Sequence, residues 1–267
     1  MTRRLIDISI PLEVGVPSDP PGMQVRIDYT NHTQSVAQMA GAFPGLTAAD
    51  LPDGEGWAVE RVTISTHNGT HMDAPWHFHS TQDAALPGGA RAADTIDKAP
   101  LDWCYRPAVK LDFRGVPDGH VVGADEVEAE LARIGHALAP LDIVLVNTRA
   151  GALYGQEGYL DAGCGMGREA TLYLTSRGVR VVGTDAWSWD APFSHTAKRW
   201  AKDRDPAFIW EGHKAGRDIG YYQMEKLHNL EALPATGFEV ICFPVKVKGA
   251  SAGWTRAVAL LEESPLP

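Results

Sequence analysis

The sequence predicts an α/β fold in which a mixed β-sheet packs against helices. Short apolar or alternating runs typical of strands recur along the chain, and the clearest is the continuous apolar run at residues 141–148. Stretches with helical spacing lie between these runs, at 123–135 and 168–177. Strands predominate toward both ends of the chain, which favours a mixed sheet over a regular doubly wound one.

The elements follow from local patterns. Residues 5–10 alternate in the strand manner and stop at Pro11, while residues 13–57 and 80–100 are rich in turn-forming residues and predict loops. The predicted strands are 5–10, 57–65, 108–113, 141–148, 179–184, 240–247 and 256–261. With 267 residues, 44% of them hydrophobic, we expect one domain over residues 1–267.

Composition excludes several classes of function. The net charge of -10 argues against a nucleic-acid partner and against an anionic membrane surface. No apolar run approaches the roughly 20 residues that a membrane-spanning helix needs. The three cysteines, Cys104, Cys164 and Cys242, are far apart and odd in number, so they predict neither a disulfide framework nor a zinc ribbon. Since the chain begins directly with a strand pattern, we expect a reduced, cytoplasmic protein.

Residues 67–78 hold the densest group of chemically active side chains. Four of them, His67, His71, Asp73 and His77, would share one face of a strand because side chains alternate with period two. A straight strand would nevertheless place the first two histidines about 13 Å apart, too far for both rings to reach one ion. The chain must therefore bend, and Gly69 is the residue that can adopt a positive φ there.

Two imidazoles and one carboxylate form a donor set that suits zinc, manganese or ferrous iron. If His67, His71 and Asp73 bind the ion, a coordination position stays open, which is typical of catalytic rather than structural sites. His77 lies on the same side and is placed to act as the catalytic base. A metal-binding protein without turnover is the alternative, although such a site has no need of a fourth basic group.

The whole stretch fits the pattern His-x-Gly-Thr-His-x-Asp-x-Pro-x-His-Phe, with every fixed position present. It resembles the metal-dependent cyclase family of hydrolases, which includes bacterial kynurenine formamidase and isatin hydrolase. The resemblance implies a compact, swivelling β/β/α-like fold, hydrolysis of a formamide or a cyclic amide, and a homo-dimer or tetramer. Residues 183–190 also resemble a family segment that contains two aspartates, here Asp185 and Asp190.

His213 and Glu225 lie 12 residues apart, and by themselves they are weak evidence for a site. In kynurenine formamidase-like enzymes, a histidine and a glutamate at this spacing bind a second ion together with the shared aspartate, here Asp73. Other relatives work with one ion. The resemblance therefore implies a divalent metal, Mn²⁺ or Zn²⁺, with one or two ions per chain.

Eight tryptophans are many for this length, and Trp57, Trp76 and Trp187 lie in or near the motifs. They suggest an apolar wall for a small aromatic or cyclic substrate such as isatin or formylkynurenine. An aliphatic lactone opened by the same site is the alternative. The glycine-rich segment 163–167 opens a predicted helix and is compatible with a tight turn or with a site for a carboxylate or carbonyl group.

Overall fold

The structure, a computed structural model, describes residues 2–263. Its strands are β1 Thr2–Asp7, β2 Arg26–Thr30, β3 Val59–Thr63, β4 His71–Asp73, β5 Thr81–Gln82, β6 Arg91–Ala92, β7 Tyr105–Asp112, β8 Val121–Val122, β9 Ile143–Asn147, β10 Gly165–Met166, β11 Val181–Thr184, β12 Tyr222–Glu225, β13 Phe238–Ile241, β14 Ala252–Trp254 and β15 Val258–Glu263. Its helices are α1 His32–Ala42, α2 Pro75–Phe78, α3 Ala124–Arg133, α4 Arg168–Ser176, α5 Phe193–Asp203 and α6 Glu211–Lys214.

Nine strands form one mixed sheet in the order β1-β15-β13-β7-β9-β11-β12-β4-β14. The four central strands, β7, β9, β11 and β12, run parallel to one another. The strand pairs on either side of them are antiparallel. Every residue of β9 and β11 is buried, as expected for parallel strands covered on both faces. The predicted α/β fold with a mixed sheet is therefore confirmed.

Two hydrophobic cores lie on opposite faces of this sheet. Ile143 and Leu145 belong to one core, while the alternating Val144 and Val146 belong to the other. Helices α3 and α4 cover the second face through apolar side chains such as Leu174. The sheet is thus fixed from both sides, and the ends of its strands form a rigid base for a site.

The prediction of a loop over residues 13–57 is wrong for part of its length. This stretch contains β2 and α1, and α1 begins with a capping box in which Asn31 and Gln34 bond each other's backbone. The strand predicted at 57–65 exists as β3, but it pairs with β2 rather than continuing into the histidine motif. The side chains of β3 are exposed, and its pairing with β2 was not predicted from the sequence.

Other boundaries differ for identifiable reasons. The strand predicted at 240–247 ends at Ile241, since Pro244 has no N–H to donate to a neighbouring strand. The strand predicted at 5–10 is β1, which ends at Asp7. Strand β12 and helix α5 were not predicted, although Phe193, Ala197 and Trp200 of α5 recur at helical spacing. Within residues 2–263, no helix has both the length and the apolar character needed to cross a membrane.

Candidate metal centre

The histidine motif bends at Gly69, which has a φ of 63°. A Cβ atom at this position would lie 2.6 Å from Leu12 Cδ2, so the exposed Leu12 side chain would have to move, and the positive φ is unfavourable for any residue with a side chain. His67 lies in the turn before the bend, and the next residues, His71–Asp73, form β4. The bend predicted from the distance between the two histidines is confirmed. The motif does not form one continuous strand, because only His71–Asp73 belong to β4.

Strand β4 lies between β12 and β14 in the large sheet. Its antiparallel pairing with β12 places Glu225 opposite His71, and Gln223 opposite Asp73. Residues directly opposite each other on paired strands point to the same face of the sheet. This register therefore places Glu225, from the C-terminal half of the chain, next to the histidine motif.

The primary cluster consists of His67, His71 and Asp73. His71 Nε2 lies 3.3 Å from Asp73 Oδ1, and His67 Nδ1 lies 2.9 Å from the same oxygen. His71 Nδ1 lies 2.9 Å from the carbonyl oxygen of Gly69, to which it donates, so in the neutral ring the lone pair is on Nε2. The other nitrogen of His67 lies 2.9 Å from Ser251 Oγ. Both rings are thus oriented by partners outside the cluster.

Two atoms of the primary cluster lack hydrogen-bond partners. His71 Nε2 and Asp73 Oδ1 are fully buried, and neither makes a hydrogen bond of acceptable geometry within the described residues. A buried polar atom without a partner is costly, and a cation between these atoms removes that cost. With His67 Nδ1 beside them, the donor set of two nitrogens and one carboxylate oxygen fits a divalent metal ion. Two overlapping groups of donor atoms, His67 with Asp73 and His77, and His71 with Asp73 and Glu225, also lie close enough together to hold one.

The secondary cluster consists of Asp73, His213 and Glu225. His213 Nε2 lies 3.4 Å from Glu225 Oε1 and 3.9 Å from Asp73 Oδ2. Asp190 accepts a short hydrogen bond from His213 Nδ1 and also accepts from the backbone N–H groups of Gly212 and His213. The structure therefore brings the predicted residues of a second site together, with Asp190 orienting the histidine ring.

His77 lies in helix α2, which begins at Pro75 directly after β4. Its Nε2 atom lies 3.9 Å from Asp73 Oδ2, and its ring centre is 4.2 Å from that of His67 and 5.7 Å from that of His213. Burial lowers the pKa of His77 to about 4, and the opposing effect of the Asp73 charge is smaller. His77 is therefore neutral at pH 7 and able to accept a proton.

Asp73 remains ionised although it is fully buried. Burial alone would raise the pKa of this carboxyl, but the close approach of the His71 and His67 rings, which carry positive charge when protonated in the absence of an ion, holds the pKa well below its usual range. An ionised carboxylate shared by the two clusters is the form that a metal ion requires.

Trp210 is an aromatic side chain that contacts the histidines, as Phe78 also does, and it was not predicted from the sequence. Its ring stacks on His213 at a centre distance of 4.5 Å and contacts His77 edge-on at 4.9 Å. Trp210 also has a φ of 59°, a left-handed conformation that is unfavourable for a bulky residue and that is found at functional sites. No motif marked it, because a single tryptophan outside a pattern carries no signal in one sequence.

Lys226 is a second residue that the sequence did not indicate. It is 1% exposed, its ammonium group pairs with the buried Asp19, and Nζ lies 2.9 Å from the backbone oxygen of His67, to which it donates. Its φ is 57°. Through these two contacts, Lys226 links Asp19 of the N-terminal segment and the backbone of His67 to the end of β12.

The three predicted tryptophans lie elsewhere in the described chain. Trp57 bonds Gln38 of α1, the half-exposed Trp76 precedes His77 in α2, and Trp187 packs edge-on against Phe193. None of the three forms an aromatic contact with a histidine of either cluster among the described residues.

The glycine-rich segment 163–167 packs against the chain near Asp190. A Cβ atom on Gly165 would lie 1.7 Å from the backbone nitrogen of Ala191, so glycine is required by a close backbone approach. Arg168, which follows the segment, pairs with Asp218. These contacts account for the glycines by packing, and they leave the arginine engaged with a protein carboxylate.

Comparison with known proteins connects this geometry to a family. A family model described as putative cyclase matches residues 6–191. The chain belongs to the putative cyclase family. A kynurenine formamidase of Salinibacter ruber is 29% identical over 246 residues, which cover 88% of this chain and 97% of that protein. A kynurenine formamidase of Erythrobacter litoralis is 27% identical over 267 residues, covering 98% of this chain and 95% of that protein.

Solved structures of this cyclase family share the fold. Isatin hydrolase A from Labrenzia aggregata bound to benzyl benzoate has a TM-score of 0.71 at 22% identity, covering 98% of this chain and 94% of that one. An isatin hydrolase bound to the product analogue thioisatinate has a TM-score of 0.73 at 20% identity, covering 98% and 93%. The predicted family and its fold are therefore confirmed.

Proposed function

We propose that this cyclase-family chain is a metal-dependent hydrolase that cleaves the C–N bond of an aryl formamide or of a cyclic amide. The convergence of His71 Nε2 and Asp73 Oδ1, both buried and unpartnered, beside the neutral His77 carries the proposal. The names of the relatives, kynurenine formamidase and isatin hydrolase, support this class of reaction. They favour the amide over the lactone alternative.

His67, His71 and Asp73 would hold a divalent ion, for which we propose Mn²⁺ or Zn²⁺ from the nitrogen and oxygen donors. Such an ion supplies Lewis acidity, which lowers the pKa of water and polarises a carbonyl oxygen. Asp73 stays ionised by virtue of its two histidine neighbours, and Ser251 and Gly69 fix the orientation of those rings.

His77 serves as the general base in this proposal. Its neutral ring accepts the proton of the attacking water and returns it to the leaving nitrogen. Its low pKa makes it a weaker base than an exposed histidine, so its effect depends on its position next to Asp73 rather than on basicity. This assignment also separates an enzyme from a metal-binding protein without turnover, in which His77 has no task.

We propose an aromatic substrate. Trp210 supports this choice because it contacts His77 and also lines an apolar cavity of about 560 Å³ whose other apolar walls include Phe193, Trp200 and Ile209. Trp57, Trp76 and Trp187 remain predicted substrate contacts.

We also propose that the chain forms a homo-dimer or tetramer in a reducing compartment such as the cytoplasm. The segment from β2 to β3 exposes Tyr29, Phe43, Trp57, Val59 and Val62. Apolar side chains grouped in this way are typical of a surface that a partner covers. The three cysteines are buried free thiols, and a reducing compartment would keep them in that form.

A substrate panel tests the proposed function. Purified protein, freed of metal and then supplied with Mn²⁺ or Zn²⁺, is incubated with N-formylkynurenine, isatin and an aliphatic lactone of similar size. We expect metal-dependent hydrolysis of at least one of the two aromatic amides and a lower kcat/KM for the lactone. Preferential turnover of the lactone, or no turnover of any compound with either metal, would contradict the proposal.

A further inference from the structure

Gln223 lies at the centre of the secondary cluster. Its side chain is fully buried on β12, opposite Asp73. Its amide Nε2 lies 2.7 Å from His213 Nε2, 2.9 Å from Glu225 Oε1 and 3.3 Å from Asp73 Oδ2. One side-chain atom thus contacts all three atoms that face each other across this cluster.

The amide nitrogen, rather than the oxygen, faces the cluster. Glu225 and Asp73 present carboxylate oxygens, which accept hydrogen bonds and cannot donate them when ionised. An amide oxygen in this place would face both carboxylates with no hydrogen between them. The opposite end of the amide meets Tyr221, whose hydroxyl lies 3.0 Å from Gln223 Oε1 and 2.9 Å from the backbone oxygen of Gly212.

The two clusters differ in how well their polar atoms are satisfied. In the primary cluster, His71 Nε2 and Asp73 Oδ1 are buried without partners. In the secondary cluster, the other oxygen of Asp73 and one oxygen of Glu225 already accept from Gln223. An ion bonded to this second set would lie against the amide nitrogen and its hydrogens, which repel a cation. The second set therefore does not fit an ion while Gln223 holds this position.

We propose that the amide of Gln223 takes the place of a second cation, so that the chain binds one ion, in the primary cluster. This inference rests on the proposed metal-dependent function and limits it to a single-ion site. His213 and Glu225 then act as partners of the Gln223 amide, and Gln223 in turn donates to Asp73 Oδ2. Gln223 is a positioning residue that links these groups across β4 and β12.

Metal content measures this role directly. Wild-type protein and the variant Gln223→Ala are equilibrated with excess Mn²⁺ or Zn²⁺, freed of loose metal, and analysed for ions per chain. We expect about one ion for the wild type and about two for Gln223→Ala, because removal of the amide frees three ligand atoms. The double variant Gln223→Ala/Glu225→Ala should return to about one ion.

Gln82 provides the matched control, since it is also a buried glutamine that bonds an aspartate and a backbone N–H, but its partners, Asp83 and Asp94, belong to neither cluster. Gln82→Ala should keep about one ion per chain. If Gln223→Ala does not fold, as judged by circular dichroism, Gln223→Glu replaces it. That variant keeps the shape of the side chain, and its carboxylate in place of the amide hydrogens should also admit a second ion.

The outcomes separate this inference from the proposed function. Two ions in the wild type, or a folded Gln223 variant that stays at one ion or loses it, would overturn the role of Gln223 and leave metal-dependent hydrolysis intact. Loss of the ion would instead make the glutamine a ligand through its oxygen. A wild type that binds no ion would overturn both proposals.

Discussion

His71 and Glu225 face each other across the antiparallel strands β4 and β12, with His71 Nε2 3.6 Å from Glu225 Oε2. One residue belongs to the histidine motif and the other to the C-terminal part of the chain, so strand register alone brings them together. The same register sets Gln223 opposite Asp73. Both clusters therefore depend on the pairing of these two short strands, and the variants below test the groups that this pairing aligns.

Asp73→Ala should abolish metal binding and activity. Asp73 is the carboxylate shared by both clusters, and its removal leaves two histidines to hold an ion against water. Elemental analysis after dialysis measures the loss. Asp203→Ala, on the exposed end of α5, is the control and should keep its metal. Full occupancy in Asp73→Ala would place the ligands elsewhere.

His77→Ala should keep its metal and lose turnover by roughly a hundred- to ten-thousandfold, because a general base acts in the transition state and contributes little to ion affinity. Metal content and kcat are measured on the same preparation. His79→Ala, two residues further and exposed, is the matched control and should be close to the wild type in both. If His77→Ala loses the ion, His77 is a ligand and the base is a different group.

Gly69→Val should weaken metal binding and destabilise the fold. The left-handed backbone and the contact with Leu12 both oppose a side chain, with a cost of at least about 1 to 2 kcal/mol. Gly237→Val is a control for strain alone, since Gly237 has a φ of 85° and open space around it. Thermal melting and metal titration separate the two effects: both variants lose stability, and only Gly69→Val loses affinity.

Trp210→Ala should lower kcat/KM for aromatic amides more than for aliphatic ones. The indole ring restrains His77 and His213 and borders the apolar cavity, so its loss removes both ring contacts and apolar surface. Alanine variants of Trp57, Trp76 and Trp187, measured in parallel, show which tryptophan side chains contribute to kcat/KM for the aromatic substrate. A larger loss in any of these three would favour the wall predicted from the sequence over the one at Trp210.

Lys226→Met should destabilise the protein by roughly 3 to 5 kcal/mol, because it leaves the buried Asp19 charge without its partner. The double variant Lys226→Met/Asp19→Asn removes that charge and should recover part of the loss. Chemical denaturation measures both free energies of unfolding. Equal stability of the single and double variants would show that the pair is not energetically coupled.

Most strands of the large sheet and the four active side chains of the histidine motif could be predicted from the sequence. The family resemblance added His213 and Glu225. Buried parallel strands such as β9 are continuous apolar runs, and the motif from His67 to His77 is dense enough to indicate an ion. The bend at Gly69 followed from chain geometry. These features are local, so a single sequence contains their evidence.

The remaining features depend on tertiary contacts. Gln223 becomes part of the site through the register of β12 against β4. Tyr222–Glu225 is only four residues long, which is too short for its alternation of apolar and polar residues to mark a strand in a single sequence. Trp210 meets the histidines through a left-handed turn that no local pattern indicates. Strand β2 was not predicted because it is short and largely exposed, whereas its equally exposed partner β3 was predicted.

Metal reconstitution of the wild-type protein tests directly whether hydrolysis depends on the bound ion. Metal-free protein is titrated with Mn²⁺ or Zn²⁺ while the bound ion and the rate of hydrolysis of N-formylkynurenine and isatin are measured together. We expect no hydrolysis without metal, a rate that rises in proportion to the bound ion, and no such rise in Asp73→Ala. Hydrolysis at an undiminished rate by the metal-free protein would contradict this expectation.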